Sequence, residues 1–104
     1  MADVIIHHMT QIFFSLDYHM EAAYDISSRR VVEAAAVASA ALDVLVQKEE
    51  EFKEDPSSVE AAAAFHRADA VYTAATEALQ KAADIKSAIV AARIKACNDP
   101  LRGA

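Results

Sequence analysis

Apolar residues recur every three or four positions along almost the whole chain. The rhythm is interrupted at one place, Asp55-Pro56-Ser57-Ser58. Downstream, Phe65, Ala68, Tyr72, Ala75, Leu79 and Ala82 form a stripe at alternating steps of three and four. Ile85, Ile89, Ala92 and Ala96 continue it after a small phase adjustment, and Ala61 falls off it. Such spacing predicts a one-sided, coiled-coil-like helix. Upstream, Val31, Ala34, Ala38, Ala41, Leu45, Lys48 and Phe52 keep the same rhythm, with Lys48 the one polar intruder. Ile5, Met9, Ile12 and Leu16 keep it nearer the start, but in a different phase. Between the two phases Asp25-Ile26-Ser27-Ser28 blurs the register, and Ser and Asp favour caps over helix interiors.

These patterns predict a single helical domain over 1–104, with a first helix over about 3–54, a turn at 55–57 and a second helix over about 57–98. With no Gly or Pro to enforce a stop, the first helix reads as continuous; the alternative is two helices meeting near 25–28. Asp55 or Ser57 can cap the second helix, Pro56 suits its first turn, and Ser57 with Glu60 has capping-box spacing. Asn98 and Pro100 close it. The expected fold is all-α: a long antiparallel hairpin (two helices, or three if the first is broken), self-associating into a four-helix or larger bundle. If Glu54 lies beside Ser57, paired residue numbers sum to about 111 and Asn98 lies opposite Phe13.

Composition sharpens this picture. The 104 residues include one Gly and two Pro, so few tight loops exist on which to mount an active site. Hydrophobic residues make up 55% of the chain, but many are alanine, which removes little area from water. Such a seam is too poor in large side chains to stabilise a lone hairpin, so a homo-oligomer is expected. A net charge of −6 argues against a nucleic-acid partner. The late basic residues Lys81, Lys86, Arg93, Lys95 and Arg102 complement the negative end of a helix dipole. No apolar stretch is long enough to span a membrane, Asp3 stands where a signal peptide would be basic, and the default location is cytoplasmic.

Candidate chemistry is sparse. His8 and His19 share a face but sit about 16 Å apart along one helix, too far to chelate together. His7 adds no metal-ligand spacing, and Cys97 stands alone, so no metal and no cofactor are expected. Asp17, Glu21 and Asp25 read as a solvated acidic row, as do Glu49, Glu50, Glu51, Glu54 and Asp55. The aromatic cluster Phe13, Phe14, Tyr18 and Tyr24, flanked by Met9 and Met20, has the composition of an adaptable binding surface.

One further pattern is a resemblance. Asp55-Pro56-Ser57-Ser58, then Phe65, then Tyr72-Thr73, together with Ala41-Leu42-Asp43 and Leu45 upstream, resembles the turn and helices of type III secretion needle subunits. That resemblance implies a helical hairpin polymerising into a hollow filament. The sequence thus predicts a non-enzymatic interaction module, such as a small acidic adaptor, chaperone or inhibitor. Its partner-binding face is Ile5, Met9, Ile12, Phe13, Leu16 and Met20, beyond or near the reach of the second helix. The competing readings are a structural filament or secretion-apparatus subunit and a metal- or cofactor-binding bundle.

Overall fold

The computed structural model describes the backbone of residues 2–98 and the side chains of residues 18–98. Among the described residues two helices make up the fold: α1 (Ala2–Glu54) and α2 (Val59–Cys97). They pack against each other as a hairpin in a rod of 82 × 17 × 14 Å. At 1.5 Å per residue, α1 alone accounts for about 80 Å of that length. It runs through Ser27 and Ser28 without a break. Ser27 is accommodated because its Oγ donates to the Tyr24 carbonyl at 2.8 Å, which satisfies the hydroxyl inside the helix.

The turn is made by residues 55–58. The Asp55 N–H still donates to the Glu51 carbonyl at 3.2 Å, and Pro56 then denies the helix its next donor. The Ser58 N–H closes the turn on the Asp55 carbonyl at 3.1 Å. Ser58, with extended φ and ψ, is the N-cap of α2, and its side chain accepts from the Ala61 N–H at 3.1 Å. The expected cap at Asp55 or Ser57 is therefore displaced by one to three residues. Ser57 instead donates to the Asp55 carboxylate at 2.8 Å and stabilises the turn itself. At the far end the Asn98 N–H reaches the Ile94 and Lys95 carbonyls and closes α2.

Moving the start of α2 from 57 to 59 changes the register. Glu54 and Val59 face each other, so paired positions sum to about 113 rather than 111. With seam positions labelled a and d, α1 contributes Met20, Tyr24, Ser27, Val31, Ala34, Ala38, Ala41, Leu45, Lys48 and Phe52. Ala61, Phe65, Ala68, Tyr72, Ala75, Leu79, Ala82, Lys86, Ile89 and Arg93 come from α2. Ala38, Ala41 and Ala75 form the buried cluster, with Tyr72 and Leu79 packed against it. Ala68 and Ser27 are the other buried residues, and among the described residues no large side chain is fully buried. Alanine against alanine lets the two axes approach closely.

Two details of the seam differ from the sequence expectation. The heptad of α2 continues without a phase adjustment, so Lys86 and Arg93 occupy seam positions while Ile85 and Ala92 are exposed. The reason is Tyr24 on α1. Its ring carries the Lys86 ammonium at 5.4 Å and the Arg93 guanidinium at 5.7 Å, and both charges reach solvent along their aliphatic stems. Ala61, expected off the stripe, is half-buried at the turn end of the seam, four residues before Phe65. There the Phe65 ring stacks on Phe52 at 5.9 Å and closes the hairpin.

Candidate protein interface

The α2 helix has 39 residues against the 53 of α1. By the register above, Cys97 lies level with Leu16, so α1 extends past α2 by about 14 residues, or roughly 21 Å. Ile5, Met9, Ile12, Phe13 and Leu16 belong to this extension, and their side chains lie outside the described residues, as do His7, His8, Phe14 and Asp17. Met20 is half-buried at a seam position level with Arg93. Tyr18, from the same aromatic cluster, is 72% exposed on the opposite side of the helix and stands edge-on to His19 at 5.7 Å. The cluster is thus divided between two faces.

A second surface runs along one flank of the hairpin. The positions labelled g are Ala23, Arg30, Val37, Val44 and Glu51 on α1, with Ala64, Val71, Ala78, Ile85 and Ala92 on α2. In an antiparallel pair these two series flank the same side of the seam. Between them lies an open groove of about 570 Å³ lined by Val37, Ala40, Ala41, Val44, Ala64, Ala68 and Val71, with Lys48 and Arg67 at its edge. Val37 and Val71 are each 59% exposed, Val44 47% and Ile85 51%. A depression of similar volume prolongs it past Glu51, Glu60 and Arg67 to the turn. The opposite flank carries Ser28, Leu42, Glu49, Asp69 and Thr76 in the equivalent places and is interrupted by polar groups.

Sequence reading missed this flank, although a signal existed. Val37, Val44, Val71, Ala78 and Ile85 repeat every seven residues, one position before a seam residue. An a/d stripe alone marks a two-stranded seam, whereas a/d with g marks a helix that has a second neighbour. The early stripe fits the same scheme. Carried back along α1, the same heptad labels place Ile5 and Ile12 at c and Met9 and Leu16 at g, the labels that Ala40, Val37 and Val44 carry in the groove. The two phases of α1 are therefore two adjoining faces of one helix.

Most of the described charged side chains are exposed. Glu51 bonds Lys48 at 3.2 Å, Glu49 bonds Lys53 at 3.1 Å, and the acidic run at the turn is partly paired in this way. Glu21, Asp25, His19 and His66 are exposed, and His66 lies beside Phe65 at 5.7 Å. Cys97 is a free, exposed thiol. Among the described residues no three His, Cys, Asp or Glu side chains could hold a metal ion together, and no helix is long and apolar enough to cross a membrane. Comparison with protein families, curated proteins and solved structures finds no match to this chain.

Proposed function

We propose that this chain is a non-enzymatic helical interaction module whose business end is the part of α1 that outruns α2. The observation that carries this reading is the roughly 21 Å extension of α1 past Cys97, over which Ile5, Met9, Ile12 and Leu16 form an apolar stripe. A stripe in which Ile5, Met9 and Ile12 lie beyond the hairpin's own second helix and Leu16 lies level with its last residue has the composition of a docking surface. Phe13 and Met20 add aromatic and thioether anchors at its edge. The buried polar side chain of the seam, Ser27, is bonded within its own helix, which supports a structural seam over a catalytic one. A cytoplasmic adaptor, chaperone or inhibitor that engages a protein partner, and copies of itself, fits these features.

Replacing Ile12 and Phe13 together by Ala tests the reading. Central anchors of this type cost about 2 kcal/mol or more of binding each. The double variant should lose binding of a protein partner while helix content by circular dichroism stays near wild type. Unfolding of the isolated, monomeric chain by the same pair would instead make the stripe part of a core.

A second reading is favoured by one observation. The Asp55-Pro56-Ser57 turn joins two long helices into the hairpin that the resemblance to secretion needle subunits implies. A filament subunit would polymerise as concentration rises, with rods visible by electron microscopy; a partner-binding adaptor would stop at a closed oligomer.

A further inference from the structure

The groove flank carries its own charge pattern, and that pattern is symmetric. Val71 on α2 lies level with Leu42 on α1. On α1, Arg30 and Glu54 each lie twelve residues from that level, on opposite sides. On α2, Lys81 lies ten residues to one side of Val71 and Glu60 eleven residues to the other. All four are on the groove side of their helices, are exposed and make no ion pair among the described residues. The turn half of the groove therefore has an acidic rim, the other half a basic rim, and the apolar floor of Val37, Val44 and Val71 lies midway.

We propose that the occupant of this groove is a second copy of the same chain, packed antiparallel about a two-fold axis that passes beside Val71. A two-fold axis there lays the groove on itself and sets Glu54 and Glu60 of each copy opposite Arg30 and Lys81 of the other. Arg67 and Glu33, which carry the reverse signs nearer the axis, then fall within about two turns of each other across it. A parallel arrangement would face like charge with like at both rims, at a cost. The overlap runs over about 25 residues of α1, or roughly 38 Å. The result is a four-helix bundle in which Val37, Val44 and Val71 supply the large side chains that the hairpin seam lacks.

This proposal rests on the interaction-module reading but uses a surface distinct from the α1 extension, so the two fail separately. The test uses the full chain with Cys97→Ser, into which Val71→Cys is introduced on the axis, or Val90→Cys on the opposite flank. Oxidation should link Val71→Cys into a dimer within minutes at micromolar concentration and leave Val90→Cys monomeric. Sedimentation of the cysteine-free chain carrying Glu54→Lys and Glu60→Lys should show self-association weakened about tenfold or more at low salt. Adding Arg30→Glu and Lys81→Glu should restore it. Circular dichroism confirms that each variant is helical. A monomeric wild type, crosslinking at Val90→Cys in place of Val71→Cys, or charge reversal without rescue would each overturn the two-fold groove. The Ile12 and Phe13 double variant should still crosslink through Val71→Cys. Loss of that crosslink, with helix content kept, would place self-association at the extension and overturn the groove as well.

Discussion

Replacing Ala75 by Leu puts the closeness of the two helices to a direct test. Ala75 is 7% exposed and packs with Ala38, Ala41, Tyr72 and Leu79 at the centre of the seam. Leucine adds three carbons, which would contribute about 2.4 kcal/mol if the site had room to bury them, at about 0.8 kcal/mol each. The alanines opposite leave no such room. The added carbons must push α1 away and separate Ala38 and Ala41 from their neighbours across the seam, and overpacking of this kind costs about 1–3 kcal/mol. The two outcomes have opposite signs, so the measurement decides between them. Thermal unfolding followed by circular dichroism at one fixed concentration should show a fall of about 4–8 °C for each kcal/mol lost. Ala70→Leu, on the exposed outer face of α2, should change little, within about 0.5 kcal/mol. A Tm that rises for Ala75→Leu, or equal shifts at Ala75 and Ala70, would refute a close alanine seam.

Other substitutions probe the rest of the hairpin. Ser58→Ala removes the cap that accepts from the Ala61 N–H and should cost about 0.5–2 kcal/mol in urea unfolding, whereas Ser57→Ala should cost less. Tyr24→Leu keeps an apolar seam residue but loses the ring beneath Lys86 and Arg93; stability should drop by about 0.5–2 kcal/mol and the loss should shrink when Lys86 and Arg93 are already Met. The Ser28 hydroxyl is buried with no hydrogen-bond partner among the described residues, so Ser28→Ala should be neutral or raise Tm.

The fold was legible because its signals are local. One Pro between two long three-four stripes sets two helices and a turn, and both were predicted to within two residues of their observed ends. What was not legible depends on contacts between helices. Ser58 rather than Ser57 caps α2, and the resulting two-residue shift sets Lys86 opposite Ser27, with its ammonium 5.4 Å from the Tyr24 ring. A hydrophobicity pattern cannot anticipate a lysine in a seam, since what permits it is an aromatic face on the other helix. Of the candidate site, Met20 is described and lies in the seam, half-buried, while Val37, Val44 and Val71 stand outside the a/d stripes and so have no place in a reading built on those stripes alone.

A second apolar face also accounts for the change of phase that lets α1 read as two helices near Ser27. A helix with one neighbour shows one stripe, and a change of phase then reads as a break. A helix with a neighbour along part of its length and another along an adjoining face shows two stripes, and both can belong to one unbroken rod. Ser27 falls where the first stripe takes over from the second, and its small side chain, bonded back to Tyr24, lets Lys86 pass. In α1 the apolar labels thus pass from a and d around Ala38 to c and g at Ile12 and Leu16. The extension that would meet a partner and the groove that would meet a second copy are then neighbouring parts of one surface. Occupation of the groove would fix how the extensions of two copies project, one at each end of the bundle and pointing in opposite directions, so that a dimer offers two separated docking ends rather than one.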